Sequence, residues 1–395
     1  MLKYSLGIDI SMKTFYVCLS VIDTEQTVKV KGSRSFANST SGFEQLDTWV
    51  NSKYKNKEIP LQVIMEATGV YYEGCAMYLF EHGYKVAVVL PNKAKKYLES
   101  SGHKSKNDKI DAEGLAQMGA EKKMELWQPL HDFYFTLRSF TRHHESLQEV
   151  KTNISNQLHA HKSAKETVQF VVDQLEQLID MIENQIEEAT KKVQSHIASD
   201  AAVMQKVNGI CKIKGVGLLT VATLLAETNG FLLFKNAAQL VSYAGYDVIE
   251  NQSGKHVGKT RISKKGNTHI RRILYMPAIN VIRYQVSPFD QLFTRTLSRH
   301  FIKMKSYVAI QKKLLTIIYA LWKKEEAYDA AYMKTQSTRE EEVVLPSGHN
   351  FEEVDGDKLK SSPSLSQDYT RCTTIELSAF VPSGQIKNKS KNICL

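Results

Sequence analysis

Two short apolar runs, Leu61–Met65 and Lys85–Leu90, constrain the fold most. Neither alternates with polar residues, so each reads as a central strand covered on both faces. The first ends in Glu66 and is broken by Thr68 and Gly69; the second is stopped by Pro91. Helical spacing lies before and between them: Ser41–Ser52 sets Phe43, Leu46 and Trp49/Val50 on one face, and Tyr71–His82 reads as a second helix. Lys3–Ile10, Phe15–Ile22 and Val28–Phe36 read as strands with short connections, and so as a meander. Strands that then alternate with helices predict an α/β layer with a mixed sheet.

Acidic residues punctuate this layer. Lys106–Gly114 places Asp108 and Asp111 three residues apart, on one face of the first turn of a helix where the dipole favours negative charge. Such a pair reads either as a solvated helix start or as part of a cation site beside phosphate. Asp9 on the first strand and Glu66 at the end of a later, adjacent one supply two further carboxylates. Asp9, after Gly7-Ile8, also suits a turn or a sugar-kinase-like phosphate loop. As a set, four carboxylates converging at one sheet edge repel one another unless a divalent cation neutralises them. Two such ions can stabilise the attacking and leaving oxygens of a phosphodiester displacement.

The 395 residues suffice for two or three domains, and the formal net charge of +10 points to a polyanionic partner. That charge is concentrated: Ser253–Lys324 holds 16 Lys/Arg against one acid, Asp290, whereas Glu325–Leu395 has 12 acids against 8 bases. The five cysteines lack metal-ligand spacing and suggest no disulfide framework, which fits a reducing cytosol. No apolar run approaches the roughly 20 residues that span a bilayer, and Lys3, Asp9 and Lys13 interrupt any signal-peptide pattern. The expectation is a soluble, cytoplasmic, nucleoid-associated protein without a membrane partner.

From His131 to Ser199 glycine and proline vanish and helical spacing takes over, predicting two long helices. They read either as an antiparallel coiled coil used for assembly or as packing within one domain. Residues 210–228 read as two helices joined through Lys214-Gly215-Val216-Gly217, a tight turn or a helix-hairpin-helix whose backbone N–H groups meet a DNA phosphate. Residues 243–274 carry Ser253-Gly254 in a polar loop ahead of Lys255, Lys259 and Arg261, then Ser263-Lys264-Lys265-Gly266-Asn267 and Arg271-Arg272. A serine there serves as a cap, a phosphate contact or, with cations nearby, a nucleophile on phosphorus. Residues 289–324 continue as basic amphipathic helices facing phosphate, and the Ser-, Glu- and Lys-rich stretch beyond about Tyr332 reads as a disordered tail.

These stretches together resemble the DEDD-type, Piv/MooV-related transposases of insertion sequences. The matching residues are Gly7–Lys13, Met65–Tyr71, Lys106–Ala112, Ile213–Gly217, Tyr243–Gly245, Ser253-Gly254 and Ile262–Asn267, in the expected order over about residues 3–325. Where the family often has Gly-Leu-x-Pro after its Tyr-x-Gly step, this chain has Tyr246-Asp247-Val248. The resemblance implies a RuvC-like (ribonuclease-H-like) domain over 1–128, a coiled-coil linker over 129–203, a mostly α transposase domain over 204–328 and a tail over 329–395. It implies that Asp9, Glu66, Asp108 and Asp111 bind Mg2+ or Mn2+. The nucleophilic serine maps to Ser253, with Ser263 second. DNA strands would be joined through a phosphoserine, under a structured guide RNA, by dimers or tetramers. Lys214, Gly215, Gly217, Lys255, Lys259, Arg261, Ser263, Lys264, Lys265, Arg271 and Arg272 are the expected nucleic-acid contacts. A metal-dependent junction endonuclease and a non-catalytic nucleic-acid-binding protein are the competing readings.

Overall fold

Strand β1 (Lys3–Ile10) lies at the middle of a five-stranded sheet and is covered on both faces. The computed structural model describes residues 1–101, 107–250, 252–254, 256–258 and 260–329. β1 pairs antiparallel with β2 (Thr14–Ile22), which pairs antiparallel with β3 (Val28–Ala37); this is the expected meander. On its other side β1 runs parallel to β4 (Leu61–Glu66), and β4 runs parallel to β5 (Lys85–Val89). The order β3-β2-β1-β4-β5 is therefore a mixed sheet, as the uninterrupted apolar runs required.

The period-two alternation of side chains sorts the two faces. Leu6, Ile8, Val17, Leu19, Val63 and Met65 pack with Phe43, Leu46 and Val50 of α1 (Thr40–Lys53) and with Cys75, Ala76 and Leu79 of α2 (Glu73–Glu81). The opposite face carries α3 (Pro91–Ser100) and α4 (Asp108–Glu121), where Ile64, Ala87 and Val89 meet Ala94, Leu115 and Met118. The sequence reading stops β5 at Pro91 and places no helix after it. In the structure that proline occupies the first turn of α3, where its missing N–H has no partner to lose.

Helix α4 presses unusually close to the sheet. A Cβ on Gly7 would stand 2.2 Å from Ala112 O and 2.2 Å from Ala116 N, and one on Gly119 would meet Ile64 and Ser5. Ala112 and Ala116, one helical turn apart, face β1 because nothing larger fits.

After Trp127, whose N–H returns to Val86 O at 2.8 Å, the chain becomes helical. Helices α5 (Asp132–Ser163) and α6 (Gln169–Ala198) form a hairpin that buries Leu147, Ile182 and Ala189, with Lys151 on Glu183 at 2.7 Å. α7 (Ala201–Cys211), capped by Asp200, and α8 (Leu218–Thr228) follow, then α9 (Ala237–Tyr243). Two small ladders come next: β6 (Val248–Ile249) with β9 (Arg261–Ile262), and β7 (Gln252–Ser253) with β8 (His256–Val257). Helices α10 (Thr268–Ile273), α11 (Tyr275–Arg283), α12 (Phe289–His300) and α13 (Lys303–Lys324) complete the described chain. One apolar core, from Leu137 through Leu225 and Val281 to Trp322, joins the start of α5 to this region. No described helix is long and apolar enough to cross a membrane. Residues 330–395, where a disordered tail is expected, lie outside the described part.

Two glycine substitutions should have opposite signs. Gly7→Ala drives a methyl into α4 backbone and is expected to lower stability by about 3 kcal/mol. Gly74→Ala, in α2 with its nearest neighbour the Phe43 ring at 3.8 Å, should raise it by about 0.5–1 kcal/mol through helix propensity. Urea midpoints for the two variants test both.

Candidate active site

The sheet register decides where the four acidic residues stand. Ile8 is paired with Met65, so Asp9 and Glu66 follow one residue later, abreast at the C-terminal ends of adjacent parallel strands. Asp9 shares its face with Gly7, and Glu66 with Ile64; both therefore look toward α4. α4 runs against β1, with Gly119 over Ser5 and Ala112/Ala116 over Gly7. Its first turn consequently reaches the strand end that carries Asp9. Asp108 lies one turn before Ala112 and Asp111 one turn before Leu115, whose side chain packs on the face shared by Ile64. Asn107 caps the helix, its side chain accepting from Ile110 N at 2.9 Å. All four acids thus sit at one edge, contributed by β1, β4 and α4.

Asp9, Glu66 and Asp111 are half-buried there, and Asp108 is exposed. Oxygen donors of this kind are the set a hard divalent cation takes. Among the described residues, however, no three His, Cys, Asp or Glu side chains are gathered closely enough to hold a metal ion as they stand. At the same edge Asn38 donates to Ser11 O at 2.9 Å and to Tyr71 O at 3.1 Å, tying the β1–β2 turn to the loop after Glu66.

The second candidate region is a stack of two glycine turns. A Cβ on Gly266 would meet Tyr243 O at 2.4 Å and Gly245 N at 2.6 Å, so Tyr243–Gly245 and Ser263–Asn267 lie backbone on backbone. Asn267 N donates to Tyr243 O at 2.7 Å and Lys264 N to Gly245 O at 3.1 Å. Ser263 belongs to this construction: its hydroxyl donates to Gly245 O at 3.3 Å and accepts from Lys265 N at 3.2 Å. Ser253, by contrast, stands exposed on the β7–β8 hairpin, paired with His256 across a turn that starts at Gly254 with φ +55°. Tyr246, where a proline pattern is common, is buried and donates its phenol to Gln311 of α13 at 3.0 Å.

The expected nucleic-acid contacts divide. Lys214, Arg261, Lys264 and Lys265 are exposed. A Cβ on Gly215, at φ +97°, would stand 2.8 Å from Asn280 Cβ, whereas one on Gly217, the residue before α8, would meet nothing within 4 Å. Arg271 is engaged internally, its guanidinium donating to the carbonyls of Ala244, Gly266 and Asn267 at 2.9–3.1 Å. Arg272 donates to Glu145 at 2.7 Å and also to Glu149, both on α5. Lys255 and Lys259 lie outside the described residues.

Sequence reasoning passed over the centre of this network, Glu227. Its side chain is 1% exposed, and Arg142 of α5 clasps it with two hydrogen bonds of 2.7 and 2.9 Å. Asn267 donates to the same carboxylate at 2.7 Å, and Tyr243 donates to the Glu227 carbonyl at 3.2 Å. Burial alone would raise the Glu227 carboxyl, but the Arg142 and Asn267 hydrogen bonds and the Arg142 charge hold it below its ordinary value of 4.5. The only sequence signal was an acid directly after the largely apolar run Leu218–Ala226, with Arg142 far away in the chain.

Residues 6–162 match a DEDD-type transposase family, and residues 208–294 match the family described as Transposase IS116/IS110/IS902. Together these segments span more than half of the chain, which belongs to the IS110/IS116 family of transposases. The chain is 29% identical over 331 residues to the pilin gene-inverting protein of Moraxella bovis, covering 83% of this chain and 98% of that protein. It is 21% identical to a probable family 20 transposase of Pseudomonas aeruginosa, covering 82% and 98%. It is 21% identical to the transposase for insertion sequence element IS1111A of Coxiella burnetii, covering 62% and 73%. Among solved structures, Thermus thermophilus RuvC is similar over 30% of this chain and 93% of that chain, at 14% identity and a TM-score of 0.24. A likeness of that size carries no argument about the site.

Arg142→Met leaves a buried carboxylate unpaired and should destabilise by about 3 kcal/mol, near the low end for a buried pair because Arg142 is half in water. A lowered native carboxyl contributes stability that is complete above its ordinary value of 4.5 and is lost as pH falls through the native one. The stability advantage of wild type over Glu227→Gln should therefore be full near neutral pH and shrink below about 4.5 in acid-denaturation curves.

Proposed function

We propose that this transposase breaks and rejoins DNA through a covalent phosphoserine on Ser253, assisted by the acidic edge of its N-terminal domain. The observation that carries the choice of serine is the contrast between two hydroxyls. Ser263 is spent on the glycine turn, while Ser253 projects from an exposed hairpin in the most basic part of the chain. Its oxygen bonds to phosphorus as the strand's phosphorus–oxygen bond breaks, and the departing strand oxygen takes up a proton. Attack by the hydroxyl of the incoming strand then breaks the phosphoserine bond and returns a proton to Ser253. The bond energy is kept in the protein–DNA link, so no external energy source is required.

Asp9, Glu66, Asp108 and Asp111 would hold Mg2+ or Mn2+, which supplies charge neutralisation at the phosphate. Binding must draw these side chains together, and their shared edge makes that a local movement. The exposed start of α8 at Gly217, with Lys214 beside it, supports a helix-hairpin-helix contact to a phosphate. Arg261, Lys264 and Lys265 extend the same basic surface, with Lys255 and Lys259 in sequence between them and Ser253. We take residues 1–128 as the DEDD domain, 129–203 as a coiled-coil linker serving dimer or tetramer assembly, 204–328 as the transposase domain and 329–395 as a tail. Guidance by a structured RNA from the element and a cytoplasmic, nucleoid-associated location follow from the family resemblance.

The test is a covalent trap. The protein is expressed from its own locus, isolated under denaturing conditions, and its nucleotide-bearing peptides are mapped by mass spectrometry. A nucleotide on Ser253 is expected, as is loss of strand exchange by at least about a thousandfold in both Ser253→Ala and Asp108→Asn. EDTA should abolish exchange, and Mg2+ or Mn2+ should restore it. An adduct on Ser263 would move the nucleophile. Hydrolysed ends without any adduct would instead make the chain a metal-dependent junction endonuclease.

A further inference from the structure

The corner between α12 and α13 presents an arrangement that the reaction above does not use. Only Phe301 and Ile302 separate the two helices. Phe301 closes α12, its N–H donating to Leu297 O at 2.7 Å, in the left-handed conformation (φ +53°, ψ +21°) where glycine is the default. Its ring is 85% exposed and, among the described residues, touches no other ring. Phe293 of α12 and Tyr307 of α13, with ring centroids 5.1 Å apart, pack the two helices against each other. A bulky aromatic at positive φ, held out in water, is favoured neither by local backbone energetics nor by burial.

Its surroundings identify what covers it. Arg295, Arg299, Lys303 and Lys305 are exposed on either side, and no Asp or Glu occurs from Thr294 to Lys324. A lone apolar ring would suit a protein partner; a ring among four unopposed cations suits nucleic acid, with bases on the ring and phosphates on the cations. The chain is a DNA transposase or recombinase, and exchanging strands exposes unpaired bases. We propose that Phe301, with Ile302 beside it, is a stacking platform for an unpaired base of the DNA undergoing exchange. The cations hold the flanking backbone. The corner lies beyond residues 208–294, the segment that matches the family. The proposal rests on strand exchange, and its test reads binding rather than cutting, so failure of the serine chemistry leaves it standing.

The test uses the full chain with two DNA probes of equal length, a perfect duplex and a duplex with a central mismatch bubble carrying 2-aminopurine. Wild type is expected to bind the bubble more tightly and to quench its fluorescence. Phe301→Gly relieves the backbone, so its melting temperature should hold or rise, while its preference for the bubble falls about tenfold. Phe301→Trp should keep the preference. Lys303→Ala should weaken both probes equally and reduce the salt slope by about one. A wild type without bubble preference, or a Phe301→Gly variant that keeps it, overturns the proposal. So does a change only in oligomeric state by light scattering.

Discussion

The close approach of α4 to β1 is the contact on which the acidic edge depends. Gly7 removes the side chain that would hold the helix away, and Ala112 and Ala116 fill the space left. With the helix axis so near the strand, its first turn projects just past the end of β1, where Asp9 and Glu66 already stand abreast. Had residue 7 carried a methyl, α4 would have to lift, and Asp108 and Asp111 would rise away from the strand ends with it. Close packing, rather than any attraction among the acids, brings four like charges to one edge.

A different force assembles the C-terminal region. Glu227 is buried on α8 and satisfied from two directions, by Arg142 on α5 and by Asn267 at the start of α10. Next to it, Arg272 and His269 of α10 reach Glu145 on α5. These bonds connect the long helical hairpin to the glycine turns that carry the basic motif. Arg138, one turn before Arg142, also reaches Glu73 at the start of α2, at 3.4 Å. The loop that follows Glu66 and the turn that holds Ser263 are therefore linked through one face of α5. Removing Arg142 would leave the buried Glu227 carboxylate without its cation, so the pair costs most when only one member is lost.

The reading of function joins these two halves. The sheet edge offers oxygen donors, and the helical region offers a serine on an exposed hairpin within a cationic surface. The two regions differ in environment: Asp9, Glu66 and Asp111 are half-buried beside α4, whereas Ser253 is exposed to water. Exposed cations also occur along α12 and α13, where Phe301 is the most exposed aromatic among the described residues.

Much of the fold was legible because it follows from local rules. Buried strands at Leu61–Glu66 and Lys85–Val89, the meander before them and the two long helices after Asp132 follow from periodicity and from where glycine and proline fall. Helix α3 is not legible because proline's fixed φ suits both the end of β5 and the first turn of a helix, and Pro91 serves as the latter. The acidic residues could be named from the sequence, but acids are common at a helix start, so Asp108 and Asp111 acquire a shared location with Asp9 and Glu66 only through the register of β1 with β4 and the seating of α4. By itself the sequence determined the element types, the concentration of positive charge and the residue types available for chemistry, since these depend only on near neighbours and composition. Tertiary structure alone decided that Asp9 and Glu66 stand side by side, that Ser263 and Arg271 are spent on backbone while Ser253 is exposed, and that Glu227 is buried against Arg142. Each of these depends on contacts between residues far apart in the chain, and no local pattern encodes the register or the packing that creates them.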